Sequence, residues 1–252
     1  MKAAFLPDRG VVKVSGDDAR DFLNGLLTTD AALLRPGLGR FGALLTPQGK
    51  IIVDFLITEA PSGHGGGFLM DCPRALAQAL ADKLGFYKLR AKVAVENLSD
   101  SLGVLAAWDG DFAIKPDLAF ADPRSATLGW RILVPAEFAQ KIADLIGADL
   151  VDSAAYDAHR IASGVPRGGL DFMYGDAFPH ETNMDRLHGV DFEKGCYVGQ
   201  EGCRECNTAA PRAPEPFGLF SKTFRRKRVL PFSPATSRWA PWVRRQVITV
   251  SR

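Results

Sequence analysis

The sequence predicts an α+β fold, and three observations carry that expectation. The chain has 252 residues, 46% of them hydrophobic and 24% charged, the profile of an ordinary globular chain able to bury a full core. Its apolar runs alternate between strand-like and helix-like periods. Several of the strand-like runs are joined by tight turns, as in hairpins, so a doubly wound parallel sheet fits less well. No repeat at solenoid periods is present.

In chain order, Val11-Val12-Lys13-Val14 alternates weakly and stops at Ser15-Gly16, so it reads as a strand. Asp17 or Asp18 is placed to cap a helix in which Phe22, Leu23, Leu26 and Leu27 form one apolar face. Phe41 to Leu45 and Ile51 to Ile57 flank Thr46-Pro47-Gln48-Gly49-Lys50 and read as a β-hairpin. Phe68-Leu69-Met70 is a further strand, followed by a helix that starts at Pro73 and ends near Gly85. Strands are expected at Lys92 to Glu96, Leu102 to Trp108 and Trp130 to Val134, and helices at Phe138 to Ile146 and Ala154 to Ala162.

Four cysteines, Cys72, Cys196, Cys203 and Cys206, are too few and too unevenly placed for a secreted disulfide framework. No apolar stretch approaches the length of a membrane span, and the N-terminus turns polar too soon for a signal peptide. These features lead to the expectation of a cytoplasmic protein with no membrane partner. Residues 1–201 hold 20 basic against 27 acidic residues, whereas residues 202–252 hold 11 against 2. Six of the 16 prolines also fall in the latter segment.

Chemistry concentrates in Val190-Asp191-Phe192-Glu193-Lys194-Gly195-Cys196-Tyr197-Val198-Gly199-Gln200-Glu201. Glycines flank Cys196, and a nearby ammonium favours the thiolate, so Cys196 and Lys194 are the candidate catalytic residues. A buried structural cysteine in a tight turn is the plain alternative. His64, within Gly63-His64-Gly65-Gly66-Gly67, lacks the Lys-Ser/Thr of a phosphate loop and reads as a hairpin tip. His159, His180 and His188 show no metal-ligand spacing, and no resident metal is expected.

Lys194 to Glu201 resembles the signature of the YgfZ family of folate-binding proteins, relatives of the glycine-cleavage T-protein (aminomethyltransferase). The resemblance extends over residues 4–201. It includes Val14 to Ala19 with Phe22-Leu23 and Thr29-Asp30, then Leu45 to Ile51 with Asp54, and Tyr87-Lys88-Leu89-Arg90. It continues through Arg160-Ile161, Gly164 and Pro166 to Pro179-His180-Glu181 and Asn183. It implies a pseudo-symmetric body around a channel that binds tetrahydrofolate, with the signature loop at that cavity. It also implies iron–sulfur client or assembly proteins as partners and a link to tRNA modification. On the same footing Asp54, Glu181 and Glu193 are candidates for the pterin edge, and Lys88 and Arg90 for the glutamate tail. Gly195, Tyr197, Gly199, Gln200 and Glu201 are candidates through the signature itself. A surface salt bridge explains the charged residues of this set about as well.

The favoured function is a folate-binding protein that supports iron–sulfur cluster assembly or repair, with Cys196 as its functional thiol. The alternative is a tetrahydrofolate-dependent aminomethyl- or methyltransferase, for which no second group placed to release ammonia is evident.

Past Glu201 the resemblance stops. Cys203-Arg204-Glu205-Cys206 with Cys196 suggests zinc or an iron–sulfur cluster, and Arg225 to Arg228 with Trp239 and Trp242 suggests a nucleic-acid patch. A third reading fits better. Back-translated and read two bases later, residues 202–214 can encode the continuation that the family places after Gly-Gln-Glu. Residues 202–252 then read as an out-of-frame translation, with the family's C-terminal β-barrel missing or scrambled and no nucleic-acid partner expected.

Overall fold

The computed structural model describes residues 1–112 and 114–202. The C-x-x-C, the basic and tryptophan-rich patch, the shifted frame and the β-barrel all lie outside the described residues, apart from Gly202.

The described chain is α+β, built on two five-stranded sheets. In chain order its elements are β1 (Lys2–Phe5), β2 (Arg9–Ser15), α1 (Ala19–Asn24), β3 (Gly39–Leu45), β4 (Ile51–Glu59), β5 (Phe68–Pro73), α2 (Arg74–Tyr87), β6 (Ala94–Asn97), β7 (Gly103–Trp108), β8 (Ala119–Ala121), β9 (Trp130–Val134), α3 (Ala139–Ile146), β10 (Asp149–Leu150) and α4 (Ser153–Ala162). One sheet runs β3-β4-β5-β2-β6 and is antiparallel throughout. The other runs β10-β1-β7-β9-β8, with a parallel β1–β10 pair.

Alternation along the strands sorts side chains into two environments. In β7, Val104, Ala106 and Trp108 enter a central cluster shared by both sheets, while Leu105 and Ala107 enter an outer cluster with Ala139, Ala143 and Ile146 of α3. In β4, Val53, Phe55 and Ile57 pack outward with Leu23 of α1 and Ala77, Leu80 and Leu84 of α2, while Leu56 joins the central cluster. Asp54 shares the parity of Leu56, so a carboxylate lies on the sheet face that looks towards the centre.

The expected hairpin forms, with Ala43 opposite Asp54 and a register shift between Leu44 and Leu45. Three expectations shift. Pro73 ends β5 and stands just before α2, because its fixed φ of −56° comes with an extended ψ of 124°. Asp18 precedes α1 without capping it; its carboxylate accepts from the Lys92 backbone N–H at 2.7 Å. α1 also ends at Asn24, before Leu26 and Leu27, although both remain buried. β1, β8 and β10 were not expected. Each has four residues or fewer, and β1 (Lys-Ala-Ala-Phe) contains no β-branched residue; its register comes from β7 and β10.

Candidate functional site

A cavity of about 340 Å³ opens beside the central cluster. Leu6, Pro7, Tyr156 and Pro166 give it apolar walls, while three carboxylates, Asp8, Asp54 and Asp157, and five arginines, Arg9, Arg124, Arg131, Arg160 and Arg167, supply its charge. Asp54 is 6% exposed. One of its oxygens, Oδ1, accepts a short hydrogen bond from the Tyr174 hydroxyl. Burial raises the Tyr174 pKa, and the neighbouring Asp54 charge and the hydrogen bond to it raise it further, which fixes the phenol as donor.

A ladder of buried charges ties the two sheets together beside this cavity. Arg9 of β2 bonds Asp71 of β5 at 2.6 Å, and Asp71 lies 3.7 Å from Arg131 of β9. Arg131 contacts Asp122 at 3.2 Å, and Asp122 pairs with Arg124 at 2.7 Å. Burial works against ionising Asp122, but the Arg124 charge and hydrogen bonds, with Arg131, outweigh it and hold the pKa at about 2. Arg131 also donates to the Tyr156 hydroxyl. Its Nη1 and the Asp71 Oδ2 are buried without hydrogen-bond partners. These two atoms face each other at 3.7 Å, so the ion pair compensates their charge without a hydrogen bond.

The signature loop is built differently. Asp191 Oδ1 accepts from the backbone N–H groups of Glu193 and Lys194, which turns the chain. Lys194 is only 7% exposed, and its ammonium donates to the carbonyls of Asn24, Leu27 and Thr29 at 2.6, 2.6 and 3.2 Å. Burial lowers its pKa to about 8, opposed by Asp30 and Asp191. The ammonium that the sequence offers to Cys196 is therefore committed to backbone carbonyls. Tyr197 is buried in the central cluster, with the Lys194 ammonium 5.0 Å from its ring centroid. Gly199 has φ +83°, and a Cβ there would stand 2.4 Å from the Thr46 carbonyl oxygen, so the loop lies hard against the β3–β4 turn.

None of residues 194–201 lines the cavity, which separates two features that the resemblance places together. Of the candidate residues, Asp54 alone lines it. Lys88 sits just past α2 and donates to the Val93 carbonyl, and Arg90 is exposed beyond it. Glu181 is exposed, and its carboxylate accepts from the Phe178 N–H. Glu193 and Glu201 are exposed, and Gln200 is buried with its backbone N–H on the Tyr197 carbonyl. Cys196 is exposed and unbridged. Cys72 is buried in β5, and burial above all, countered by Arg9, pushes its pKa up to about 12.

Sequence reasoning missed Tyr174 and the arginines of the cavity. A signal was present for one of them, since Arg131 interrupts the apolar strand Trp130-Arg131-Ile132-Leu133-Val134. Tyr174 carries no local signal, because its partner Asp54 lies far away in sequence. Three histidines have local contacts: His64 faces Asp117, His159 meets the Thr127 carbonyl and stacks on Trp108, and His180 stacks on Phe178 while its Nδ1 is buried without a hydrogen-bond partner.

No protein-family model matches the chain. It is similar to curated proteins named as mitochondrial iron–sulfur cluster assembly factor IBA57 or its homologues. The protein from Mycosarcoma maydis is 38% identical over 213 residues, covering 79% of this chain and 52% of that protein. The one from Pyricularia oryzae is 36% identical over 202 residues, covering 78% and 51%. The human protein is 31% identical over 217 residues, covering 78% and 60%. The chain thus spans between half and three-fifths of the length of these relatives. In three dimensions it resembles the glycine cleavage system aminomethyltransferase T of Bartonella henselae, with a TM-score of 0.64 at 21% identity over 83% of this chain and 64% of that one. This likeness establishes the fold. The shifted-frame reading draws no support from these comparisons.

The cytoplasmic expectation is corrected by the relatives, which are mitochondrial proteins. It rested on the absence of a disulfide framework, and that absence suits any reducing compartment. Among the described residues no helix is long and apolar enough to cross a membrane.

Proposed function

We propose that the chain takes part in assembling or repairing iron–sulfur clusters, as a member of the family of the IBA57 and YgfZ iron–sulfur cluster assembly factors to which it is similar. In this reading Cys196 is the functional thiol, the cluster is cargo, and a reduced folate occupies the arginine-lined cavity. The observation that carries it is the contrast between the cysteines. Cys196 is exposed on a tightly anchored loop, whereas Cys72 is buried with a thiol that resists ionisation.

The cavity's residues fit a folate. Asp54 accepts from a ring N–H or amino group, Leu6, Pro7 and Tyr156 provide apolar contact for a flat ring, and Arg160 and Arg167, which pair with Asp157, Asp171 and Asp8, would share their charge with the ligand's carboxylates. Arg160 and Arg167 replace Lys88 and Arg90 as the cations that border the ligand. A tetrahydrofolate there supplies secondary amines able to carry a one-carbon unit, and this chain's own part is to bind and orient it.

Two measurements test the reading. Cys196→Ala should fail to rescue cells that lack iron–sulfur assembly activity, while Cys72→Ala should rescue them; equal rescue by both would end the role given to Cys196. Calorimetry should show tetrahydrofolate binding that weakens in Asp54→Asn, and no heat at millimolar ligand would remove the folate. Turnover of an aminomethyl donor would move the protein to the transferase alternative.

A further inference from the structure

We infer that Lys194 is a positioning residue for Cys196, one that locks the thiol-bearing loop onto the chain following α1 through an ammonium–carbonyl latch. The inference rests on the reading of Cys196 as the functional thiol and assigns its neighbour a different task from the thiolate activation suggested by sequence.

Three observations build it. First, a buried ammonium needs acceptors, and Lys194 finds three carbonyls within one short segment, those of Asn24, Leu27 and Thr29. Asn24 is the last residue of α1, where unpaired carbonyls favour a cation. Second, the residues on either side of the exposed pair Gly195–Cys196 are both buried, Lys194 at 7% exposure and Tyr197 likewise at 7%. The loop is thus nailed down on both sides of a short exposed tip. Third, among the described residues nothing beyond the chain neighbours stands within 4 Å of a Cβ built at Gly195, so that point of the tip is open on the side a side chain would take. The remaining charges near the latch are Asp30 and Asp191, the latter 3.6 Å from Arg40, and none of them replaces the three carbonyl contacts.

A nitroxide label on Cys196 tests the latch in the full chain with Cys203→Ser and Cys206→Ser, since Cys72 is buried. In Lys194→Met the label's rotational correlation time should shorten roughly threefold. A control label on Lys141→Cys in α3, placed in the same chain with Cys196→Ser, should not change. An unchanged line shape at Cys196 overturns the inference. Equal loosening at both sites also overturns it, because Lys194 would then be a general packing residue. The functional reading fails separately: if Cys196→Ala supports cluster assembly as well as the parent chain, that reading falls while the label result stands.

Discussion

Tyr174 donates its hydroxyl to Asp54 from 120 residues away, and so binds the segment that follows α4 to the carboxylate facing the cavity. The hydroxyl group occupies Oδ1 of a carboxylate that also lines the cavity. The same ring explains Gly168, where a Cβ would fall 2.1 Å from the Tyr174 Cζ. Tyr174→Phe keeps the ring and removes the donor. The lost hydrogen bond, worth about 1.5–3 kcal/mol net to the fold, leaves the carboxylate without its anchor, and tetrahydrofolate binding to the less preorganised site should weaken roughly tenfold. Calorimetry checks this, and an unchanged affinity would show that Asp54 needs no support from Tyr174.

The two described cysteines should differ in reactivity by far more than tenfold. With a pKa of about 12, Cys72 is almost wholly thiol at pH 8, and it is enclosed by β2 and β5. Iodoacetamide at pH 8 followed by peptide mass mapping should modify Cys196 within minutes and leave Cys72 intact until denaturant is added. Early modification of Cys72 would mean that β5 opens readily.

Asp122 makes the acid limb of stability legible. Its folded pKa of about 2 lies below the ordinary 3.8, so its stabilisation is complete above about pH 5 and is lost as the pH falls through 4 towards 2. The contribution is about 2 kcal/mol. Removing the charge altogether leaves Arg124 without its anion and Arg131 with Asp71 alone, and Asp122→Asn should cost about 3–5 kcal/mol at neutral pH. Urea midpoints at pH 7, 4, 3 and 2 should converge for the two proteins on acidification. Parallel curves would show that the ladder is not anchored at Asp122.

Much of the architecture was legible because it depends on local pattern. The hairpin around Thr46-Pro47-Gln48-Gly49-Lys50 and the helices α2 to α4 follow from turn residues and periodicity. β8 and β10 were not legible, since strands of three and two residues take their form from a partner. For the site, Asp54 and Cys196 stood out through resemblance. The chemistry that surrounds them did not. Arg9, Arg131 and Tyr174 converge near the cavity from β2, β9 and the segment after α4, and only tertiary structure brings them together. Lys194 shows the opposite case: sequence proximity to Cys196 suggested electrostatic activation, while folding turned its ammonium towards three distant carbonyls.

The two glycines of the signature should respond in opposite ways to alanine. Gly199 has φ +83°, where a side chain is strained, and its Cβ would also meet the Thr46 oxygen at 2.4 Å and Leu45 Cβ at 2.9 Å. Strain of this kind costs about 1–2 kcal/mol before any clash is counted. Gly199→Ala should therefore lower the melting temperature by several degrees and displace the loop. Gly195 lies outside the positive-φ region and has nothing within 4 Å of a built Cβ. Gly195→Ala should leave stability unchanged or raise it by about 0.4–1 kcal/mol, through the less flexible unfolded chain. If Gly195→Ala nevertheless impairs rescue of an iron–sulfur assembly defect, the glycine is kept for something that approaches Cys196 from outside. Full rescue would show instead that the exposed tip tolerates a methyl group, and that the demand for glycine in this loop is confined to Gly199 and its contact with the hairpin turn.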